Sequence, residues 1–283
     1  MRGRSIAIAA ASTVLVSCAL LSGAGDLMVA PELESDAGAV SAEASAPGDA
    51  TLPDASVEAE AADGASAPGA CDEPGLVARW TFDEGVGLVV GDCTTHHLDG
   101  QIRGGHWVDG ERDGGMDFDG GWVGFGNPPG LQLSGPLTAC AWVRVSAAPS
   151  GGTRGYVVDK LFMPNTGGWR LAVGRTGSSA ALGASMEVPD PDGGFHETIG
   201  GSITVGTWTH ICAVFRGTSQ SVFVGGVEAA TGATPAGVIT LTSDELRIGI
   251  RGDGMQPFFG SVDDVRVYSR ALDATEIAVL AQP

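Results

Sequence analysis

Basic residues are scarce. Fifteen Lys and Arg stand against 34 Asp and Glu in 283 residues, a formal net charge of -19. Such a chain repels phosphate backbones, which excludes a nucleic-acid partner. Charged side chains of both signs reach only 17%, while glycine numbers 45, a balance that excludes coiled coils and helical repeats and points to a loop-rich globular chain. Aromatic residues are missing from the first 70 positions, and all six Trp, nine Phe and two Tyr fall within 71–283. The hydrophobic core therefore begins near residue 71. Catalytic signatures are missing too: no G-x-S-x-G elbow occurs anywhere.

What is present at the N-terminus is an address. Arg2 and Arg4 precede an uncharged run over 5–16, the charge pattern of a signal peptide. The run ends in Leu15-Val16-Ser17-Cys18, which resembles the lipobox of bacterial lipoproteins. That resemblance implies a signal peptide over 1–18, acylation of Cys18, and, with Ala19 following, delivery to the outer membrane. Several acyl chains anchor stably where one does so only marginally, so the membrane is an expected partner through Cys18. Release by cleavage near Ala24 is the alternative, ahead of an uncleaved span over 5–24 that is barely long enough. Residues 26–70 hold ten carboxylates, fourteen Ala and four Pro with no Lys, Arg or aromatic. A segment of that composition cannot bury enough surface to order itself, so 19–70 is expected to be an acidic linker.

The remaining 71–283 is long enough for one domain and carries 13 basic and 24 acidic residues, a net -11 of its own. Short apolar or alternating runs bounded by turn signals recur at 76–82, 137–145, 156–162, 169–173, 208–215, 222–224, 246–250 and 262–268. Many short strands in one domain predict two packed antiparallel sheets. One helix is expected, at the end, where Asp273 and Glu276 form a capping box and Ile277 and Leu280 supply an apolar face.

Six segments then carry a family resemblance. They read LVARWTFDEGVG (76–87), GGMDFDGGWVGFG (114–126), LTACAWVRV (137–145), GTWTHICAVF (206–215), VFVGGVEAATG (222–232) and GSVDDVRVYSRALDATEI (260–277). In this order they resemble the strand signatures of laminin G-like domains of the concanavalin A-like lectin/glucanase jelly roll. The resemblance implies an all-β, two-sheet antiparallel β-sandwich with a short C-terminal helix. Its usual Asp-Gly turn is replaced by Gly225-Gly226, which still satisfies a two-residue hairpin.

Beyond Cys18 there are four cysteines, an even number in an exported chain, with three possible pairings. Cys140 and Cys212 resemble strand positions bridged in pentraxins, relatives of the same jelly roll, which implies Cys140–Cys212 and leaves Cys71 with Cys93. The chain-entropy model assigns ~4.4 and ~3.4 kcal/mol to these loops.

The same fold hosts retaining glycosidases with two glutamates in E-x-D-x-x-E, a run this chain lacks. The nearest acids, Glu187, Asp190 and Asp192, are interrupted by Pro189 and Pro191 and are expected in a loop. Adjacent Asp263 and Asp264 are expected on opposite faces of their strand. No catalytic residue is assigned. Calcium is the expected cofactor, structural or ligand-bridging, because it takes carboxylate and carbonyl oxygens. By resemblance Asp263 is its first ligand, with Asp83 and Glu84 next; turn-capping or pairing with Arg266 and Arg79 is the competing role for these acids. No organic cofactor is expected. For sugar, an exposed aromatic must lie beside hydroxyl-binding polar groups. Trp80, Trp107, Trp142 and Trp208 are read as core. Trp122, Trp169, Phe195 and Phe258 are the candidate stacking residues, with Asp190, Asp192, Arg251 and Asp253 in the rim loops beside them. Arg251-Gly252-Asp253 also spells an integrin tripeptide, discounted as a chance match. The expected function is a non-catalytic exported module for glycan or glycoprotein at the cell envelope. A structural or adhesive protein-binding domain is the alternative, and a glycoside hydrolase comes third.

Overall fold

The computed structural model describes residues 71–150, 152–161, 167–177, 181–189, 194–234 and 237–283. The signal peptide, Cys18, the linker, Asp190 and Asp192 lie outside the described residues.

Along the chain run β1 (Leu76–Trp80), β2 (Val89–Val90), β3 (Gly100–Ile102), β4 (His106–Asp109), β5 (Gly114–Asp119) and β6 (Val123–Gly124). A 3-10 turn at Pro129–Leu131 leads into β7 (Leu137–Val145), β8 (Arg154–Asp159), β9 (Arg170–Arg175) and β10 (Leu182–Pro189). Next come β11 (Phe195–Ile203), β12 (Trp208–Phe215), β13 (Ser219–Val224), β14 (Val227–Ala233), β15 (Arg247–Ile248), β16 (Phe259–Tyr268) and α1 (Ala274–Leu280). Among the described residues these strands form two antiparallel sheets. The first is ordered β14-β13-β12-β7-β16-β5-β4, with β1 also on β16, and the second β11-β10-β9-β8-β15-β6-β3-β2. The expected two-sheet sandwich with one C-terminal helix is what the chain adopts.

Strand alternation explains which side chains meet. In β7, Leu137, Ala139, Ala141, Val143 and Val145 enter the common core, as do Ile211, Ala213 and Phe215 of β12. The intervening Cys140 and Cys212 turn to the outer face of the first sheet, directly opposite each other, and are bridged. Cys71 and Cys93 form the second bridge, so both expected pairings hold. The turn between β13 and β14 uses Gly225 (φ +59°) and Gly226 (φ +79°), the left-handed pair that a two-residue hairpin needs.

Helix α1 starts as its sequence dictates. Asp273 accepts from the backbone N–H groups of Thr275 and Glu276, and Glu276 accepts from that of Asp273. The helix brings Ile277 onto the bridged cysteines, where Leu76, Val214, Phe223, Tyr268 and Leu272 complete a second, smaller core. The outer face of the first sheet is closed there.

Candidate functional site

Two places on the sandwich gather chemistry. One is the outer face of the second sheet. Leu171 and Val173 of β9, and Met186 and Val188 of β10, point into the core, so Arg170, Ser185 and Glu187 point outward. In β8 a register shift falls between Tyr156 and Val158. Val157 and Val158 both enter the core, which leaves Tyr156 and Asp159 on the outer side.

Arg170, only 1% exposed, is the hub. Its Nε donates to Asp159 Oδ1 (2.7 Å), its Nη1 to Glu187 Oε2 (3.2 Å) and its Nη2 to the Leu161 carbonyl (3.1 Å). The guanidinium lies 5.0 Å from the Tyr156 ring centroid and 5.5 Å from that of Phe195, within cation–π range. Arg251 approaches Tyr156 at 5.9 Å and makes a two-pronged pair with Asp253 (2.9 and 2.7 Å). Gly252 N–H donates to Asp159 Oδ2, so the Arg-Gly-Asp loop is pinned to the sheet and its two charges hold each other. Beyond Gly252, Arg247 pairs with Glu245 (3.0 Å) and stacks over Trp122 at 4.2 Å. A hollow of about 200 Å³ lined by Asp244, Glu245, Arg247 and Gly252 lies there.

Of the residues singled out in the sequence, the structure brings Phe195, Arg251 and Asp253 together and puts Trp122 farther along the same sheet. Phe195 is 38% exposed. Trp169 and Phe258 are corrections: both are 1% exposed members of the common core. Trp169 directly precedes outward Arg170 and so takes the inward side. Phe258 does the same beside Phe259, which is 39% exposed. The sequence reading missed Tyr156, Arg170 and Arg154, because nothing local in a sequence reveals the cross-strand neighbour.

Glu187 is a further correction. It lies within β10, and Pro189 ends that strand rather than breaking it. Its directly opposed partner across β11 is Glu197. Their environments differ. Burial pushes the Glu187 carboxyl above its ordinary value, against the pull of Arg170. Burial also pushes Glu197 up, but hydrogen bonds from Arg154 and Ser185 outweigh it and hold that carboxyl below its ordinary value. Arg154 takes both Glu197 oxygens (2.6 and 2.8 Å) and Ser185 Oγ donates to Oε1 (2.7 Å).

The other place is a cleft of about 620 Å³ beside the last strand, lined in part by Asp83, Arg112, Asp263 and Asp264. A register shift in β16 between Asp263 and Arg266, with Asp264 at φ +44°, brings both aspartates to this cleft, so the expectation of opposite faces fails at a bulge. Asp264 is fully paired, with Arg79 (2.7 Å), Arg266 (2.9 Å) and Arg112. Burial alone would raise its carboxyl, yet Arg266 and Arg79 hold it down at about 2. Asp263 differs. Its Oδ2 accepts from the N–H groups of Glu111 and Arg112 (2.9 and 2.8 Å), while its fully buried Oδ1 has no partner. Burial pushes this carboxyl up to about 7, against those two N–H donors, and the charges of Asp264 and Asp83 add to the rise. A Cβ on Gly110 would lie 2.7 Å from Asp263 Oδ2 and 2.0 Å from the Gly114 carbonyl, so the close approach requires glycine.

An orphaned carboxylate oxygen beside a second carboxylate fits a hard cation with oxygen ligands. Asp263 and Asp83 meet that description. Glu84 does not line the cleft; its Oε1 accepts from Gly91 N–H (2.7 Å), and it leaves the candidate set. Among the described residues, the one cluster of three His, Cys or acidic ligand atoms is Cys140, His210 and Cys212. Its sulfurs are joined to each other and offer no thiolate.

A family model described as the concanavalin A-like lectin/glucanases superfamily matches residues 117–278. No curated protein matches the chain. Among solved structures, the binding domain of Paraclostridial mosquitocidal protein 1 aligns with a TM-score of 0.60 at 14% identity, over 74% of this chain and 52% of that one. Domain 4 of AbnA, a GH43 extracellular arabinanase from Geobacillus stearothermophilus in complex with arabinotriose, aligns at 0.54 and 21% identity over 73% of this chain and 98% of that one. A structure of botulinum neurotoxin type C, whose cell entry depends on interaction with two ganglioside molecules, aligns at 0.55 and 9% identity, over 74% and 51%. The chain thus spans about half the length of the toxin structures and nearly all of the arabinanase domain.

Proposed function

The chain belongs to the concanavalin A-like lectin/glucanases superfamily, and from that premise we propose that it is an exported, non-catalytic binding module for glycan or glycoprotein. Its ligand is read on the outer face of the second sheet. The observation that carries this reading is the band Phe195–Arg170–Tyr156–Arg251, where an exposed ring borders guanidiniums already paired with carboxylates. A sugar ring can stack on the exposed Phe195 face, and the part-exposed Arg251–Asp253 and Arg154–Glu197 pairs present donors and acceptors to hydroxyls, while the buried Arg170 and Tyr156 hold the band together from beneath. The arabinotriose in the arabinanase domain and the gangliosides of the neurotoxin lend support, since those folds are similar.

Two disulfides suit an exported chain, and no helix among the described residues is long and apolar enough to cross a membrane. Attachment to a bacterial outer membrane through acylated Cys18, with 19–70 as tether and 71–283 as the presented domain, belongs to this reading, as does free secretion in its absence. Calcium at Asp263 and Asp83 belongs to it as well. It would neutralise a buried carboxylate and tie the last strand to the loop after β1.

A second reading is favoured by one observation: Glu187 and Glu197, opposed across two strands with carboxyls pushed apart in acidity, are the kind of pair a glycosidase uses. The pairing of both Glu197 oxygens with Arg154 opposes it, because a carboxylate neutralised by a two-pronged guanidinium is a poorer nucleophile. Thermal unfolding of the chain with and without calcium, repeated with arabinotriose, cello-oligosaccharides and sialylated oligosaccharides, tests the binding reading. A calcium shift followed by a further rise with one glycan class is expected. A flat response to every glycan would move the assignment to protein partners, and reducing sugar released by the parent chain but not by Glu197→Gln would move it to hydrolysis.

A further inference from the structure

The first sheet also has an open end, beyond the part covered by α1, and a row of unlike side chains crosses it. Trp208 of β12 is directly opposite Arg144 of β7, Arg144 opposite Ser261 of β16, Ser261 opposite Asp117 of β5, and Asp117 opposite His106 of β4. Residues at odd spacing from them on the same strands, Ile211 three along and Val143, Val262 and Met116 adjacent, enter the core, so the row lies on the outer face. The first four members touch in turn. The Arg144 guanidinium lies 4.9 Å from the Trp208 ring centroid, its Nη2 donates to Ser261 Oγ (3.1 Å), and Ser261 Oγ donates to Asp117 Oδ2 (2.7 Å). Four steps at the ordinary inter-strand spacing make the row roughly 19 Å long, the scale of an oligosaccharide rather than a single ring. The next row adds Phe259 opposite Asp119, both exposed.

Arg144 is unlike the arginines of the second sheet. Arg154, Arg170, Arg247 and Arg251 each pair with a carboxylate. Among the described residues Arg144 has no carboxylate within ion-pair distance; its partners are a hydroxyl and an indole. It is partly exposed, as is Trp208. A guanidinium has five donors in a planar fork, and only one of Arg144's is taken by Ser261. Stacking on Trp208 fixes the plane of that fork while leaving its edge for a planar, two-oxygen acceptor.

The geometry points to a second saccharide site on this row, taking a sugar that bears a carboxylate, with Trp208 under the ring, Arg144 on the carboxylate and Asp117 on hydroxyls. It shares with the proposal above only the class of ligand, and it sits on the opposite sheet. The probes are oligogalacturonate and its neutral counterpart, an oligogalactose of equal length, titrated into the chain by calorimetry. Oligogalacturonate is expected to bind, and Arg144→Gln to weaken it about tenfold or more, since hydrogen bonds to charged groups exceed 1.4 kcal/mol. Trp208→Ala should remove that binding, and Phe195→Ala should leave it unchanged. Unfolding midpoints of both row variants check that they fold, and Arg144→Gln keeps the test open if Trp208→Ala does not. Equal affinity for the two oligosaccharides, or oligogalacturonate binding that survives Arg144→Gln but is lost in Phe195→Ala, overturns this site and leaves the second-sheet reading standing. Absence of oligogalacturonate binding also overturns it, while the glycan panel decides the other face separately.

Discussion

Both sheets turn one face to a common core, and the fate of the other face separates them. On the first sheet, the face near α1 is sealed. A disulfide, an apolar cluster and the Asp264 ion network with Arg79 and Arg266 fill it, and the cleft beside Asp263 is left as its opening. On the second sheet Arg170 with Asp159 and Glu187 is just as buried, but the Arg154–Glu197 and Arg251–Asp253 pairs are part-exposed around an exposed Phe195. Arginine–acid pairing is thus buried at Asp264 and at Arg170 alike, and what sets the second sheet apart is its part-exposed pairs beside an exposed ring. Buried polar networks are costly unless every member is satisfied, and the roofed network meets that condition at Asp264 while Asp263 retains one orphaned oxygen.

The largest expected effect breaks the sealed face. Replacing Cys140 and Cys212 together with serine opens a loop of 72 residues and should cost about 4 kcal/mol by the chain-entropy model. For a domain of this size that is a fall of the order of 10 °C in Tm, read by calorimetry. Ligand affinity of the folded fraction should not change. A fall in affinity as large as the fall in stability would mean that the two faces are coupled.

Acid acts on the same face through His210, 2% exposed and edge-on to Trp142 with ring centroids 5.4 Å apart. Burial holds its imidazole down at about 3, with Arg112 and Arg266 adding and Asp264 opposing. The unfolded chain takes that proton below about pH 6.5, whereas the folded chain refuses it until about pH 3. Stability from this group is therefore full above pH 6.5 and drains away as pH falls toward 3. Asp159, pushed up to about 6 by burial against Arg170 and the Gly252 N–H, acts in the opposite sense, so the contribution must be isolated by difference. Between pH 7 and 4 the parent chain should lose on the order of 3 kcal/mol more than His210→Gln. Parallel pH curves for the two would show that the imidazole is not held neutral.

Much of the sealed face could be read from sequence. Alternation in 137–145 and 208–215 separated inward from outward residues, Gly225-Gly226 announced its hairpin, and Asp273 with Glu276 announced the helix start. The open face was legible only in part. Phe195, Arg251 and Asp253 came from loop composition, but Tyr156, Arg170 and the Glu187–Glu197 pair depend on strand register, which no local pattern encodes. Bulges did the rest: the shifts at Tyr156/Val158 and at Asp263/Arg266 invert the face of everything after them. Trp169 and Phe258, offered as stacking residues, were misjudged, since parity places both inside. Trp208, read as core for its strand signature, is partly exposed because it shares the parity of Cys212.

A smaller effect sharpens the comparison at the cleft. Asp263→Asn keeps an acceptor for the Glu111 and Arg112 N–H groups while removing the charge that burial disfavours. Without calcium, the stability of this variant at pH 8 should equal or slightly exceed that of the parent. With calcium, only the parent should gain, by an amount that grows with the logarithm of free calcium. A calcium-dependent rise of equal size in both would remove Asp263 from the ligand set.

The smallest expected effect on stability falls on the open face, and its smallness is the point. Phe195 is exposed, caps one end of the Arg170 stack and belongs to neither apolar cluster. Phe195→Ala should shift unfolding by no more than about 0.5 kcal/mol, as surface changes ordinarily do. Loss of a stacking ring should nonetheless weaken a bound saccharide by about 1 kcal/mol or more, a fivefold change that titration resolves. If Phe195 instead proved as costly to unfolding as a core residue, the second sheet would be sealed like the first. The band would then be a structural network that happens to lie at the surface, and the distinction between the two faces would disappear.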